Sequence, residues 1–216
     1  STSFASFARH TAPNTADLIW ERQIPGAGKF WSSPSATAGR IYIGNNNGQV
    51  YCIDAATGDL VWRFAKRVTQ PVFSTPSIGN GLIYLAGYEV ILALPAEDPN
   101  GDGLISDDEV VWSFRVGKST GGVNNVVAGS PAVARNRLYL GAVDQMFYCV
   151  DALKGGEPLW STFTPYRGQH AFASSPAMAD GRIFAATGNQ SGAGRLYCFA
   201  ETNGRVLWEF DIDDIT

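Results

Sequence analysis

Residues 33–64 read SPSATAGRIYIGNNNGQVYCIDAATGDLVWRF, and the order of parts in this stretch decides the fold. A Ser33-Pro34 turn opens it, and Tyr42 stands eight residues after the proline. Then come Tyr51-Cys52-Ile53-Asp54, a turn containing Gly58, and Leu60-Val61-Trp62-Arg63-Phe64. Segments 33–38, 40–44, 49–54 and 60–64 are short, rich in Val, Ile, Tyr, Phe and Trp, and bounded by Gly, Asn and Asp. That is the pattern of four strands joined by tight turns. No segment sustains a 3.6-residue apolar period, so helices are expected to be absent or incidental.

The same order recurs along the chain. Tryptophans fall at 20, 62, 112, 160 and 208, with separations of 42, 50, 48 and 48 residues. The opening turn returns as Thr75-Pro76, Ser130-Pro131 and Ser175-Pro176, and each proline is followed at the same spacing by Tyr84, Tyr139 and Phe184. The third segment returns as Ile91-Leu92-Ala93-Leu94, Tyr148-Cys149-Val150-Asp151 and Tyr197-Cys198-Phe199-Ala200. Four-stranded units repeated every 40–50 residues or so predict an all-β protein, a β-propeller of four-stranded antiparallel blades. A single blade buries only what its neighbours cover, so the blades need one another.

Asp54-Ala55-Ala56-Thr57-Gly58-Asp59-Leu60-Val61-Trp62 resembles the repeat of the quinoprotein-type, or PQQ-like, β-propellers. Residues 151–160 and Glu201-Thr202-Asn203-Gly204-Arg205-Val206-Leu207-Trp208 are weaker copies. The resemblance runs from about residue 18 to 211, leaving residues 1–17 as a lead-in segment and 18–216 as blades. It implies that the glycine turn joins the third and fourth strands and that each tryptophan docks on an adjoining blade. It also implies that an N-terminal outer strand, expected around residues 19–23, completes the last blade of a ring. Four complete blades plus that strand leave one strand over. The expectation is therefore about half of a seven- or eight-bladed ring, truncated or completed by another chain.

The chain of 216 residues is 45% hydrophobic, too apolar for disorder and large enough for a core without disulfides. No apolar run approaches the roughly 18 residues needed to span a bilayer. Residues 1–16 lack the basic start and apolar middle of a signal peptide, so an export signal is read as already removed. The net charge of −4 sits in one place: Glu97, Asp98, Asp102, Asp107, Asp108 and Glu109 lie together with no base among them. Without these six, 14 acids face 16 bases, a net of +2. No basic stripe is available for phosphates, which argues against nucleic acid.

That acidic cluster contains the sharpest chemical motif. Residues 98–109, DPNGDGLISDDE, match the twelve-residue EF-hand-type calcium loop in full. Asp98, Asn100, Asp102, the Leu104 carbonyl, Ser106 and Glu109 would supply hard oxygen ligands, Gly103 the sharp turn, and Ile105 an inward apolar contact. Blade two spends 18 residues between Leu94 and Trp112 where blade one spends 8 between Asp54 and Trp62, an excess close to the loop's length. The insertion (residues 97–109) is flanked by strands, so calcium is expected to rigidify a hairpin and not to act as a sensor. The blades themselves are expected not to depend on it.

Cys52, Cys149 and Cys198 hold equivalent positions in three blades. Packed sheets lie about 10 Å apart, too far for a disulfide, so the thiols are expected to be buried and free. The only histidines are His10 and His170, which gives hydrolytic triads or zinc sites little support. Redox-active members of the family commonly carry a vicinal cysteine pair at the quinone, and none occurs here. No catalytic residue is assigned, and PQQ is not expected to bind.

A binding surface is expected on the loops between one blade's outer strand and the next blade's inner strand. These carry Lys29, Phe30 and Trp31; Arg67 and Gln70; Asn124 and Asn125; and Arg167, Gln169 and His170. Such side chains suit a protein, peptide or glycan partner. Trp31, Phe73 and Phe172 precede the Ser/Thr-Pro turns and have blade packing as their alternative role. The expected function is an extracytoplasmic (periplasmic, cell-surface or secreted), calcium-stabilised, non-catalytic scaffold. By resemblance its role is like that of propeller lipoproteins of outer-membrane protein assembly, or of extracellular sensor domains. The alternative is a fragment of a quinone-dependent dehydrogenase whose catalytic residues lie elsewhere.

Overall fold

Short apolar runs, buried on both faces in the middle strands and joined by tight turns, fold the described residues into four antiparallel sheets in sequence order. The computed structural model describes residues 17–64, 72, 74–87, 90–117, 129–142, 144–165, 171–172, 174–188 and 194–212. The first blade is β1 (Ser35–Thr37), β2 (Arg40–Gly44), β3 (Val50–Asp54) and β4 (Leu60–Phe64). The second is β5 (Ser77–Gly79), β6 (Leu82–Ala86), β7 (Val90–Pro95) and β9 (Trp112–Arg115). Between its last two strands lie β8 (Leu104–Ile105) and a short 3-10 turn, Asp107–Glu109. The third is β10 (Ala132–Ala134), β11 (Arg137–Gly141), β12 (Met146–Asp151) and β13 (Trp160–Phe163). In the fourth, β14 (Ala171–Phe172) and β15 (Ala177–Ala179) share the inner edge of β16 (Arg182–Gly188), followed by β17 (Gly194–Ala200) and β18 (Val206–Ile212).

The inner hairpins share one local cause. Ala38-Gly39, Asn80-Gly81, Arg135-Asn136 and Asp180-Gly181 all have positive φ, from +48° to +77°. Two successive positive φ values make the hairpin turn whose twist matches that of its strands. These turns fix the register in which Tyr42, Tyr84, Tyr139 and Phe184 pair with Ser35, Ser77, Ala132 and Ala177. The constant spacing from proline to aromatic is the length of this hairpin.

Three apolar cores hold four blades together. Tyr42, Cys52, Trp62 and Phe64 pack on Ile83, Leu85, Leu92 and Leu94 between blades one and two. Tyr84, Ile91, Ala93 and Trp112 pack on Leu138, Leu140, Tyr148 and Val150 between blades two and three. Tyr139, Phe147 and Cys149 pack on Phe172, Ile183, Tyr197 and Phe199 between blades three and four. A closed four-blade ring would need a fourth core. None joins blade four to blade one among the described residues, and the trailing face of blade four is open, with Trp208 43% and Phe210 63% exposed. The equivalent residues of blade one, Trp62 and Phe64, are 0% and 1% exposed.

Four of the six tryptophans are fastened forward. The indole N–H of each donates to a turn carbonyl of the following blade: Trp20 to Ala55 (3.0 Å), Trp62 to Ala96 (3.1 Å), Trp112 to Ala152 (2.9 Å) and Trp160 to Glu201 (3.2 Å). The turn glycines explain themselves here. A Cβ on Gly58, Gly155 or Gly204, all at positive φ, would stand 2.7, 2.6 or 2.3 Å from the ring of Trp20, Trp112 or Trp160. The expected strand around residues 19–23 is not a strand among the described residues. Residues 17–24 make no ladder with the described strands. They lie against blade one through Trp20 and an Arg22–Asp59 ion pair at 3.2 Å.

Hydroxyls complete the joints. The Ser32, Ser74 and Ser174 side chains each bridge the carbonyl and N–H of one residue, Gly44, Ala86 and Ala186. Ser35 and Ser77 donate to Pro76 and Pro131 of the next blade, and Ser130 accepts from the N–H of Thr75. As expected, Cys52, Cys149 and Cys198 are buried and free.

Candidate functional site

The insertion of residues 98–109 begins with a carboxylate wrapped by backbone. Asp98 Oδ1 accepts from the N–H groups of Asn100 (3.2 Å) and Gly101 (3.0 Å), and Oδ2 from Gly103 (2.7 Å). Burial pushes this carboxyl upward, but the Gly103, Gly101 and Asn100 donors together hold it below its ordinary value. Asn100 Oδ1 accepts from Asp102 N–H (2.9 Å), and Asp102 Oδ1 from Leu104 N–H (2.8 Å). Glu109 Oε2 accepts from both the N–H (2.8 Å) and the hydroxyl (3.1 Å) of Ser106. Gly103 turns the chain at φ +83°, at the position where the motif demands it.

The loop does more than close a hairpin. Leu104–Ile105 leaves blade two and pairs in parallel with blade one, Arg63 with Leu104 and Phe64 with Ile105, and Arg63 N–H donates to Gly103 O at 3.1 Å. Ile105 is fully buried in the core between blades one and two, as its position in the motif predicted. Burying such a side chain contributes about 1.5–3 kcal/mol. The expectation that the blades do not depend on the insertion is therefore overturned: the loop supplies a fifth strand to one blade and a core residue to a joint. The connection is a non-local parallel pairing, which strand patterns along the chain do not encode.

An ionised carboxylate has about four acceptor directions. Asp102 Oδ2 and Glu109 Oε1 take no hydrogen bond among the described residues, and Asp98, Asn100, Ser106 and the Leu104 carbonyl add further oxygens. The donor set is all oxygen, which suits a hard cation. No group of three or more His, Cys, Asp or Glu side chains is gathered as a metal cluster among the described residues. The carboxylates here are spread along the loop and engaged with its backbone.

Of the expected binding surface, Lys29, Phe30 and Trp31 are described and lie exposed, Phe30 at 41% and Trp31 at 54%. Phe30 rests edge-on against Tyr51, and Lys29 O accepts from Asn46 N–H at 2.9 Å. Arg67, Gln70, Phe73, Asn124, Asn125, Arg167, Gln169 and His170 lie outside the described residues. Phe172 is a core residue, fully buried against Phe147 and Tyr197. Trp31 does not share that role. Asp144 is a residue at this end that the sequence reading missed. It accepts from Gly117 N–H of the preceding blade (2.8 Å) and from the Tyr148 hydroxyl.

These geometries define a PQQ-like β-propeller. The model of the family described as "Outer membrane protein assembly factor BamB" matches residues 8–102 and 102–214, and the chain belongs to that family. It is 24% identical over 241 residues to the outer membrane protein assembly factor BamB of Burkholderia pseudomallei (strain K96243), covering 88% of this chain and 58% of that protein. The crystal structure of BamB from Moraxella catarrhalis superposes with a TM-score of 0.57 at 15% identity, covering 85% of this chain and 62% of that one. The quinohemoprotein alcohol dehydrogenase of Comamonas testosteroni superposes with a TM-score of 0.67 at 14% identity, covering 85% of this chain and 35% of that one. The chain thus spans 35% to 62% of the length of these relatives. No helix among the described residues is long and apolar enough to cross a membrane.

Proposed function

We propose that the protein is a non-catalytic, extracytoplasmic binding scaffold that takes part in assembling outer-membrane proteins, with other proteins as its partners. The observation that carries this reading is the match of the assembly-factor family over nearly the whole chain, in two consecutive stretches. The open trailing face of blade four supports a further part of it: the four blades belong to a larger ring, completed by additional blades. A strain lacking its own BamB tests the role. This chain, exported to the periplasm within its full ring, is expected to restore barrel assembly in the outer membrane, and failure to do so with a folded protein would count against it.

Calcium is part of the proposal. The oxygen donors of Asp98, Asn100, Asp102, Leu104, Ser106 and Glu109 would hold it, and its charge would offset the mutual repulsion of the three carboxylates. Calorimetry tests this directly: binding by the wild type, lost in Glu109→Ala and kept in Asp107→Ala, is the expected result.

A second reading is a fragment of a quinone-dependent dehydrogenase, favoured by the higher TM-score to the quinohemoprotein enzyme. Adding PQQ and calcium and following dye reduction with alcohols or aldoses separates the two. Turnover would reverse the ranking.

A further inference from the structure

We propose that the outer edge of the third blade, residues 159–164, is a docking edge for one extended strand of a partner polypeptide. Among the described residues the register leaves it without a further strand. Leu159 N–H donates inward to Cys149 O (2.8 Å) and Thr164 N–H to Gln145 O (2.9 Å). Antiparallel alternation then turns Trp160 and Thr162 inward as well, while Ser161 and Phe163 present their N–H and C=O groups away from the sheet. The side chains of Trp160 and Thr162 are engaged with blade four, through Glu201 O and Gly204 O.

Blade one shows how such an edge is filled. Arg63, the residue after Trp62 and so the counterpart of Ser161, also points its N–H outward. There it meets Gly103 O, the residue just before the parallel strand β8. The blade edge therefore accepts a fifth strand while β4 stays paired with β3 from Leu60 to Arg63, with one register shift opposite Cys52 and Ile53.

What distinguishes blade three is its side chains. One residue after the tryptophan, the blades carry Arg63, Ser113, Ser161 and Glu209; three residues after it, the second, third and fourth carry Arg115, Phe163 and Asp211. Charges at open strand edges discourage strand addition. Blade one is covered by β8, and blades two and four carry a charge at one or both positions. Blade three carries none, and exposes Phe163 (57%) and Leu159 (52%) beside the open N–H and C=O groups. Backbone groups offering affinity, flanked by apolar side chains offering selectivity, are the requirements of strand addition. The occupant is an extended segment of alternating apolar and small polar residues, its apolar side chains packing on Phe163 and Leu159.

The 216-residue chain is titrated with a fluorescein-labelled, end-capped peptide of alternating threonine and valine flanked by lysines. Amide exchange is followed on the same complex. Saturable binding is expected, with exchange slowed at Ser161 and Phe163 and unchanged at Ser113 and Glu209. Ser161→Pro, which removes one outward donor and no inward bond, and Phe163→Lys, which restores a charge to the edge, are each expected to weaken binding by about tenfold or more. Should Ser161→Pro fail to fold, Phe163→Lys decides alone. The proposal is overturned by absence of saturable binding, by equal protection on the edges of blades two and four, or by unchanged affinity in Phe163→Lys. It is equally overturned if Ser161 and Phe163 are already protected in the free chain, at low concentration by its own residues or at high concentration by a second copy.

Discussion

At the scale of single residues, burial separates chemical identity from reactivity. Burial pushes the thiols of Cys52 and Cys149 up to about 12, against a smaller opposing effect of Arg40 and Arg137, and raises Cys198 as well. A thiol at that value is ionised to roughly one part in ten thousand at pH 8. The folded protein is therefore expected to be inert to a disulfide reagent such as DTNB, and to release three equivalents after unfolding. Rapid reaction of any one thiol in the native protein would show that its blade opens. Gly204 offers a second test. At φ +71°, with its Cβ position 2.3 Å from the Trp160 ring, Gly204→Ala is expected to cost about 1–3 kcal/mol in denaturant unfolding.

Single elements respond to acid and to cations. Thr57 and Ala56 N–H groups hold Asp54 below its ordinary 3.8, and Asp98 is likewise lowered by its three backbone donors. A depressed carboxyl contributes stability that is fully present above its unfolded value and is lost as pH falls through the folded one. The thermal midpoint is thus expected to be flat from neutral pH down to about 5 as far as these two turns are concerned, and to fall below about 4. Asp54→Asn and Asp98→Asn should each flatten that acid limb. If calcium binds the 98–109 loop, a hundredfold excess over its dissociation constant stabilises the fold by about 2.7 kcal/mol. Because β8 reaches across to blade one, chelation should also speed exchange of the Arg63 amide, and an effect confined to residues 98–109 would contradict that coupling. Much of this scale was legible in the sequence. The interval from each proline to its aromatic is a hairpin length, and Ile105 was read as inward from its place in the motif. The parallel pairing of Leu104 with Arg63 was not legible, since it joins segments about forty residues apart and leaves no local periodicity. Nor were the bridging hydroxyls of Ser32, Ser74 and Ser174, whose partners lie twelve residues on.

For the whole molecule, the same motif position has different costs at its two ends. Trp62 is fully buried between blades, whereas Trp208 is 43% exposed on the open face. Trp62→Ala is expected to destabilise by about 3–5 kcal/mol, and Trp208→Ala by only about 1 kcal/mol or less in this chain. Equal losses in urea unfolding would mean that the trailing face is covered. The arc of four blades was readable from the repeat count, but the polarity of the joints was not. Trp20, Trp62, Trp112 and Trp160 each reach forward to a carbonyl that comes later in the chain, 34 to 41 residues on. On a ribosome, the fastener of each joint therefore emerges before the surface that it fastens. A nascent blade meets an anchor already in place, and the propeller can grow from its amino end one sector at a time, its last sector always the one still waiting for a neighbour.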